Sequence, residues 1–327
     1  MPKKIALLHR FPKETIKETN AAFPYLQSKG IHVITFKKFN RLNSIQKLFK
    51  SVLWIFYAPL LVIGKGFDVI YCDDSFPFYP ALVKIASPKS KVVIRLGDLH
   101  LMYYVSGFAF KFLHFFERMV WKMADEIVAI SEPMAKYIYQ ETRKYPAVIL
   151  DPVEPKDFPS NGGAAGNIVM FHGLITRNKN IDILLEAATK LPLFDFLIVG
   201  DGPDKDRLLK KKPRNVHFVG WIPFKHIPAY IATCSVGVAL RSSNPANEYV
   251  VTSPFLQYGV MGKPCLVTRR EVFGDYPWQF SNVDELVDKI RILLKRPQHE
   301  GKKLQEFILK NHSAKKIAEE IWSLLSS

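Results

Sequence analysis

The amino-acid sequence predicts an α/β protein with two Rossmann-like, doubly wound domains and a cleft between them. Short apolar runs alternate with stretches of helical periodicity, which is the pattern of parallel sheets with crossover helices. A Pro-, Gly- and Ala-rich stretch, DPVEPKDFPSNGGAAGN, divides this series in two. The 327 residues, 48% of them hydrophobic, suffice for two cores. We therefore expect an N-terminal domain over 1–155, a linker over 156–167, a C-terminal domain over 168–305, and a helical segment over 306–327 that can pack back on the N-terminal domain.

The first half of the chain contains the strand and helix patterns of one such domain. A helix with Ser131 as its N-cap and Pro133 in its first turn follows the apolar run IVAI. The adjacent carboxylates of Asp73 and Asp74 follow another apolar run and are interpreted as loop or N-cap residues. Strands are predicted at 5–8, 31–36, 68–72, 92–96 and 148–150, and a helix at 21–30.

Two apolar stretches of the first half are predicted to form helices that lie either in the core or at a membrane- or acceptor-facing surface. Residues 51–64 are 14 uncharged residues, too few to span a bilayer, and Pro59 interrupts them. They are predicted to form a helix packed in the core, or alternatively one whose aromatic side chains contact lipid headgroups: Trp54, Phe56 and Tyr57. The aromatic stretch 108–123 is also predicted to pack in the core, with a membrane-facing or acceptor-facing helix as the alternative.

The second half repeats the strand–helix alternation. Residues 168–171 form an apolar run that ends in Gly173, and residues 181–190 have helical periodicity. The next run, 194–199, ends in GDGP, where glycine lets a ligand approach the backbone. A helix capped by Ser253 is predicted after a long polar loop. Further strands are predicted at 216–219, 236–240 and 264–268, and further helices at 227–233, 285–294 and 314–325.

Arg177 and Lys179 are the informative residues of this half. They lie in the turn before the helix at 181–190, and a helix N-terminus disfavours positive charge. An anion such as a phosphate bound between them would account for two cations at this position. The alternative is a solvated turn whose charge is balanced by Asp182 in the first turn of the helix.

The net charge of +16 is concentrated in the first 66 residues, which contain twelve Lys and Arg against two Glu. A cationic end of this kind is typical of proteins that contact an anionic membrane surface or a nucleic acid, and it also favours solubility. We expect no nucleic-acid partner, because no nucleic-acid-binding motif is present. Arg10, Lys47 and Lys50 are the candidate residues for contact with an acceptor or a membrane.

The cysteines and the N-terminus bear on the compartment. Cys72, Cys234 and Cys265 are far apart and lack metal-ligand spacing, which indicates a reducing compartment without a disulfide framework. The short apolar stretch after the N-terminal Met is interpreted as the first strand rather than a signal peptide. We expect a cytoplasmic protein, peripheral on the inner face of the cell membrane.

Several segments together resemble the GT-B glycosyltransferases, nearest the retaining group that includes cell-envelope and lipid-linked-sugar enzymes. ADEIVAISEPMAKYI is similar to a strand–helix segment of the first domain of that family, and VILDPVEPKDF to its interdomain crossover. FHGLITRNKNIDILLEAATKL is similar to its Gly-x-x-x-x-x-Lys segment, and LIVGDGP, VHFVGWIP and SPFLQYGVMGKPCLVT to segments around the donor nucleotide. The resemblance implies transfer of a sugar from a nucleotide sugar to a membrane- or lipid-linked acceptor, with no metal and no other cofactor.

The resemblance also implies which residues bind the donor. Lys179 takes the position that meets the donor diphosphate, and Arg177 can substitute for an Arg that the family has where this chain has Leu174. Gln257 stands at the position of a ribose-binding Glu and can still hydrogen-bond ribose hydroxyls. The other donor-binding residues that the resemblance implies are Gly173, Gly200, Gly202, Thr252 and Ser253.

Asp98, His100 and Glu248 are the candidate catalytic residues. Asp98 and His100 follow a strand of the first domain and are able to orient or deprotonate an acceptor hydroxyl. The alternative is a loop Asp that caps a helix and a His bonded to the backbone. Glu248 is predicted to contact the donor sugar, although Tyr249 stands at the aligned family position.

Two functions remain open from the sequence. The favoured one is a metal-independent, hexosyltransferase-type glycosyltransferase, in which fixed cations stabilise the leaving diphosphate. The alternative is a non-catalytic protein that binds a nucleotide sugar or a nucleic acid, because Gln257 and the spacing of Glu248 depart from the family pattern.

Overall fold

The computed structural model describes residues 3–9, 21–35, 44–73, 78–159 and 166–327. The chain divides into two compact units, and the described residues include one six-stranded sheet in each. Unit 1 comprises Met1–Pro152, Glu248–Val250 and Ala314–Ser327, and unit 2 comprises Val153–Asn247 and Val251–Ser313. Two doubly wound sheets with flanking helices confirm the predicted fold class.

The strands of unit 1 are all parallel and lie in the order β2-β1-β3-β4-β5-β6. These strands are β1 Ile5–His9, β2 His32–Thr35, β3 Val69–Asp73, β4 Lys91–Leu96, β5 Glu126–Ala129 and β6 Ala147–Val148. The helices that accompany them are α1 Phe23–Ser28, α2 Ser44–Leu60, α3 Tyr79–Ala86, α4 His100–Tyr104, α5 Gly107–Met123 and α6 Glu132–Thr142. All of β1 and β3 is buried, as expected for parallel strands covered on both faces, and this burial explains their continuous apolar runs.

The strands of unit 2 are also parallel, in the order β12-β11-β10-β7-β8-β9. They are β7 Ile168–His172, β8 Asp195–Val199, β9 Val216–Gly220, β10 Val236–Ala239, β11 Cys265–Thr268 and β12 Gln279–Phe280. The helices are α7 Asp182–Lys190, α8 Lys205–Leu209, α9 Ile227–Thr233, α10 Ser253–Val260, α11 Val283–Leu293 and α12 Pro297–His312, after which α13 Ala314–Ser326 returns to unit 1. Counted from β9, this is the strand order of dinucleotide-binding Rossmann sheets, and the direction of winding reverses between β7 and β10.

Two helix starts test the capping predictions. Ser131 caps α6 as predicted, since its Oγ accepts a hydrogen bond from the backbone N–H of Met134 at 3.2 Å. The predicted cap of α10 is wrong by one residue, because Thr252 is the N-cap and Ser253 is already helical. Proline lacks an N–H and fits anywhere in the first turn, so Pro254 could not identify which of its two predecessors is the cap.

Helix α13 completes the core of unit 1. Its side chains Ile317, Ala318, Ile321 and Leu325 are fully buried and pack in one cluster with residues of β1, β3 and β4. This helix also contacts α1. The apolar face of α13 is therefore an integral part of unit 1, although unit 2 separates it in sequence from the rest of that unit.

Helix α2 divides its aromatic residues between core and surface. Trp54 is completely buried, which agrees with the predicted core packing and excludes the alternative of headgroup contact for this residue. Phe56 is 64% exposed, and Tyr57 and Leu60 are exposed beside it. Within the described part of the chain, no helix has both the length and the hydrophobicity required to cross a bilayer.

Helix α5 has its aromatic face turned to solvent. Phe108 is 83% and Phe112 54% exposed, so the predicted core packing is wrong for this face. The buried face instead carries a polar pair, in which Nδ1 of His114 lies 2.9 Å from Oε2 of Glu117. The exposed phenylalanines lie on one side of the helix and the buried residues, which include Trp121, on the other. Composition alone could therefore not tell which side faces the protein.

A buried ionic cluster lies at the carboxyl ends of β1, β3 and β4. Arg95 donates hydrogen bonds to Oδ1 of Asp73 at 3.1 Å and to Oδ1 of Asp151 at 2.5 Å. Nδ1 of His9 lies 2.7 Å from the carbonyl oxygen of Asp73. Burial by itself would lower the pKa of Arg95, but the two carboxylates raise it above its ordinary value. Asp73 is thus the last residue of a strand and an ion-pair partner, which corrects its interpretation as a loop or capping residue; Asp74 lies outside the described residues.

Candidate functional site

A cavity of about 580 Å³ lies at the carboxyl edge of the sheet of unit 2. Its lining residues follow β7 and β10, between which the winding reverses, and also β11 and β12. Doubly wound sheets bind their ligands at this point, beyond the carboxyl ends of the strands. The charged side chains that line the cavity are all cationic: Arg177, Lys179, Arg241, Arg269 and Arg270.

The predicted cations lie in a single turn of 3₁₀ helix, Arg177–Lys179, which follows β7. Asn180 then adopts the left-handed conformation (φ 50°), and α7 begins two residues later. Lys179 is half-buried and Arg177 is exposed. Nε of Arg177 lies 3.7 Å from Oδ1 of Asp204. The structure thus brings both side chains to one cavity, as an anion-binding turn requires.

Asp182 does not balance these cations. Its two carboxylate oxygens accept hydrogen bonds from the guanidinium of Arg207 at 2.9 and 2.6 Å, and one of them also contacts Nζ of Lys211. The hydrogen bonds from Arg207 lower the pKa of Asp182 below its ordinary value, and Lys211 lowers it further. The alternative interpretation of a turn neutralised by Asp182 is therefore wrong, because that carboxylate serves a different pair of cations.

Two glycines after β8 are required by the close packing of their loop against the loop after β7. The backbone N–H of Ile175 donates to the carbonyl oxygen of Asp201 at 2.9 Å, which extends the pairing of the two strands. A Cβ atom at Gly200 would overlap the carbonyl oxygen of Gly173, and one at Gly202 would overlap that of Ile175. This close approach accounts for both glycines without a ligand, and the predicted donor contacts of Gly173, Gly200 and Gly202 stay predictions.

The other predicted donor residues lie at the start of α10. Thr252 is buried as the helix cap, Ser253 is exposed, and Gln257 is half-buried. These three residues are not among those that line the cavity in the described part of unit 2. Their contact with the donor therefore stays a prediction.

Sequence reasoning missed three of the five cations in the cavity. Arg241 follows β10 after one intervening residue, and Arg269 and Arg270 directly follow β11. Each of these arginines comes just after an apolar run that was correctly predicted as a strand. That placement is the sequence signal by which they could have been predicted. In a parallel sheet all such positions meet at one edge.

The candidate catalytic residues Asp98, His100 and Glu248 all belong to unit 1. Asp98 lies between β4 and α4, His100 is the first residue of α4, and both are half-buried. Oδ1 of Asp98 accepts a hydrogen bond from the backbone N–H of Leu99 at 2.8 Å. Glu248 is half-buried at the end of a short 3₁₀ helix. The next residue, Tyr249, accepts a hydrogen bond at its carbonyl oxygen from Oγ of Ser131 at 2.6 Å. Their catalytic roles stay predictions.

The candidate acceptor and membrane residues are covered only in part. Arg10 lies outside the described residues. The backbone of Lys47 and Lys50 belongs to α2, and their side chains lie outside the described part of the structure. Across the described ranges, no group of three or more His, Cys, Asp or Glu is placed to hold a metal ion.

His172 is a buried, uncharged neighbour of the cavity loop. It is the last residue of β7, it packs edge-on against the ring of Tyr258 with centroids 5.0 Å apart, and its Nε2 has no hydrogen-bond partner among the described residues. Burial lowers the pKa of His172 to about 4. The imidazole is therefore neutral at physiological pH and adds no charge beside the cationic turn.

Acidification is expected to destabilise the protein through His172. The unfolded chain binds a proton at this residue below pH 6.5, whereas the folded chain does so only near pH 4, so stability falls as the pH falls between these values. This residue accounts for a loss of about 3 kcal/mol at most. The free energy of unfolding in urea should therefore drop less between pH 7 and pH 4.5 in His172→Phe than in the wild type, by about 2 kcal/mol. His217→Gln, at an exposed imidazole, is the control, and an equal drop in wild type and His172→Phe would contradict the assignment.

Comparison with known proteins agrees with this geometry. Residues 166–296, which include the cavity, match the sequence model of the family glycosyl transferases group 1. Among curated proteins, no sequence matches this chain. Sucrose-phosphate synthase from Thermosynechococcus elongatus has a similar structure, with a TM-score of 0.77, 14% identity and 98% of each chain covered.

Two further solved structures are similar over most of this chain. The lipopolysaccharide outer core galactosyltransferase WaaB, in its apo form, has a TM-score of 0.66 at 15% identity and covers 98% of this chain and 100% of its own. A TarM variant from S. aureus, in complex with fondaparinux, alpha-GlcNAc-glycerol and UDP, has a TM-score of 0.68 at 18% identity and covers 85% of this chain and 59% of its own. At these identities the likeness establishes the fold.

The chain thus has the GT-B fold of two-domain glycosyltransferases. Its segment 166–296 is similar in sequence to the glycosyl transferases group 1.

Proposed function

We propose that the protein transfers a sugar from a nucleotide-sugar donor to an acceptor hydroxyl, and that Arg177 and Lys179 bind the donor diphosphate. The observation that carries this proposal is the cationic cavity at the point where the winding of the second sheet reverses. Its volume of about 580 Å³ lies within the usual range for small-molecule sites. The UDP in the TarM complex supports a nucleotide as the leaving group.

The chemistry explains why fixed cations are useful at this place. Transfer breaks the bond between the anomeric carbon of the sugar and the β-phosphate oxygen, and the electron pair leaves with the nucleoside diphosphate. The acceptor oxygen bonds to the anomeric carbon, and its proton passes to a base, for which Asp98, His100 and Glu248 are the candidates. Negative charge grows on the departing oxygen, so cations already in place stabilise the transition state more than the ground state. Under this proposal the cations take the part that a metal plays in other transferases.

Binding of nucleotides and nucleotide sugars tests the proposal. Titration calorimetry with UDP, GDP, ADP and their common sugar esters should give at least one dissociation constant in the micromolar to millimolar range. Slow hydrolysis of the same sugar ester, or its transfer to a hydroxyl acceptor, should follow. Binding without turnover would favour the non-catalytic alternative, and no binding of any of these ligands would contradict the proposal.

We propose further that the acceptor is membrane- or lipid-linked and that unit 1 carries the surface that contacts the lipid. The apolar surface consists of exposed side chains on α2 and α5, both of which contact α3: Leu53, Phe56, Tyr57, Leu60, Phe108, Phe112, Phe115, Phe116 and Met119. An exposed apolar area of this kind is unusual on a monomer in water. Lys111 and Lys122 are exposed on α5, whereas the acidic residue of that helix, Glu117, is buried. Apolar and cationic side chains on one exposed face fit an anionic lipid surface.

Replacing two aromatic residues of this surface is expected to weaken membrane binding. Phe112→Ser with Phe116→Ser should lower partitioning into vesicles of phosphatidylcholine and phosphatidylglycerol by at least about tenfold, because two rings no longer leave water. Co-sedimentation measures the bound fraction. Phe307→Ser is the matched control, since Phe307 is 49% exposed on α12 of unit 2. Equal binding of the wild type to vesicles of pure phosphatidylcholine would contradict the electrostatic part of the proposal.

The compartment is proposed from the cysteines. Cys72, Cys234 and Cys265 are all buried and carry free thiols. Free thiols are typical of proteins kept in a reducing compartment. This supports action at the cytoplasmic, inner face of the cell membrane. That location is compatible with both the proposed sugar transfer and the proposed contact with lipid.

A further inference from the structure

The cavity of unit 2 holds more positive charge than a nucleoside diphosphate requires. A diphosphate ester carries one negative charge on each phosphate, and Arg177 with Lys179 can match both under the proposed function, on which this inference rests. Arg241, Arg269 and Arg270 line the same cavity. No Asp or Glu is found among its described lining residues. Three guanidinium groups are therefore left for another role.

Arg241 is held in the wall of the cavity by neutral partners. Its Nη1 donates to Oδ1 of the buried Asn247 at 3.1 Å, and its backbone N–H donates to Oγ1 of Thr268 at 3.1 Å. Its Nε is buried and has no hydrogen-bond partner among the residues that the structure describes. A buried guanidinium nitrogen without a partner loses solvation, so the positive charge of Arg241 favours an anion nearby in the cavity.

Arg270 fixes the two loops that carry the other arginines. Its guanidinium donates to the carbonyl oxygens of Arg241 at 3.3 Å, of Ser242 at 2.5 Å and of Arg269 at 2.6 Å. These bonds join the loop after β10 to the loop after β11. Arg241 and Arg269 are thus positioned before any ligand binds, which lowers the cost of ordering them on binding.

Arg269 is a further arginine of the cavity wall. Its Nε donates to Oγ of Ser281 at 3.0 Å, again a neutral partner. Its Nη2 lies 3.8 Å from Oε2 of Glu285, and the side chains are 58% and 38% exposed, respectively. An exposed pair at this distance contributes little, so the charge of Arg269 remains available to a ligand.

We infer that the transferred sugar is itself acidic, and that Arg241 and Arg269 bind its carboxylate, as in a hexuronic acid. A guanidinium matches a carboxylate in shape, offers two parallel hydrogen bonds and never loses its charge. Because these arginines line one cavity with Arg177 and Lys179, a single donor can reach both groups of cations. A neutral sugar offers only hydroxyls to the guanidinium groups, whereas an acidic one matches their charge.

Matched pairs of donors test this inference. Titration calorimetry compares UDP-glucose with UDP-glucuronate and GDP-mannose with GDP-mannuronate, so that each pair differs only at C6 of the sugar. With the base that binds, the acidic member should bind at least tenfold more tightly in the wild type. Arg241→Gln should weaken the acidic donor by about 10- to 100-fold and the neutral donor much less. Lys190→Gln, on α7 and paired with Asp284, is the control for loss of a surface cation.

Each outcome separates this inference from the proposed function. Equal affinity for the neutral and the acidic donor would overturn the acidic sugar and leave nucleotide-sugar transfer standing. Failure of both pairs, and of the free nucleotides, would overturn the proposed function and the inference with it. An Arg241→Gln variant that weakens both donors equally would show a structural role and overturn the assignment. A further outcome is that inorganic phosphate binds the wild type at the same time as UDP-glucose and fails to bind Arg241→Gln. This result would show that Arg241 binds a free anion rather than the carboxylate of the sugar, and it would also overturn the inference.

Discussion

Replacing Lys179 with alanine is expected to lower kcat/KM for sugar transfer by about 10²- to 10³-fold. The side chain lies at the end of the 3₁₀ turn that lines the cavity, and Asp182, the nearby carboxylate, is already engaged by Arg207 and Lys211. Under the proposed function, its ammonium contacts the leaving diphosphate. Steady-state rates with the donor found by calorimetry give the measurement, and the urea unfolding midpoint should remain that of the wild type.

Two further variants make this prediction specific. Lys190→Ala removes a lysine from the other end of α7, where it pairs with Asp284 at 2.5 Å, and should leave the rate unchanged. Lys179→Arg keeps the charge and should retain more activity than the alanine variant. A Lys179→Ala enzyme with wild-type kcat/KM would show that the leaving group is stabilised elsewhere.

Replacing Arg95 with methionine is expected to cost unit 1 about 3–5 kcal/mol of folding free energy. Arg95 is 7% and Asp73 2% exposed, and the substitution removes the guanidinium from a carboxylate that cannot reach water. Asp151 loses the same partner. Unfolding in urea, followed by circular dichroism, measures the difference. The expected loss is large because the Asp73 carboxylate still bears its desolvation free energy, whereas the guanidinium that offset it is gone.

A matched lysine and a double variant isolate the cause. Lys91→Met alters the same strand at a half-exposed pair with Glu126, 2.8 Å apart, and should cost about 1 kcal/mol or less. Adding Asp73→Asn to Arg95→Met removes both charges and should recover about 1–2 kcal/mol. A double variant less stable than Arg95→Met would point to packing of the arginine stem, and not to the charge, as the source of the loss.

The strands and helices could be predicted because each depends mainly on a short stretch of sequence. Parallel strands buried on both faces require continuous apolar runs, and IALLH and VIYCD are such runs. The cap at Ser131 was predictable for the same reason, since it depends on the first helical turn alone. The strand orders of the two sheets are not local in this sense, and only the structure gives the reversal between β7 and β10.

The residues of the candidate site could be predicted only where they lie close together in the sequence. Arg177 and Lys179 are two residues apart, and their role as a cationic turn follows from that spacing. Arg241 and Arg269 are distant in sequence and share a cavity because β10 and β11 are neighbours in the sheet. The same limit explains the error on α5, because an apolar stripe does not show which side of the helix the rest of the chain covers.

The return of α13 to unit 1 has a consequence for how the protein is made. Ile317, Ala318, Ile321 and Leu325 reach their places beside β1, β3 and β4 only after all of unit 2 has left the ribosome. The core of unit 1 is therefore incomplete until α13 has been synthesised. Unit 2, in contrast, has all of its elements once α12 has been synthesised. We expect chaperones to bind the nascent chain mainly at unit 1.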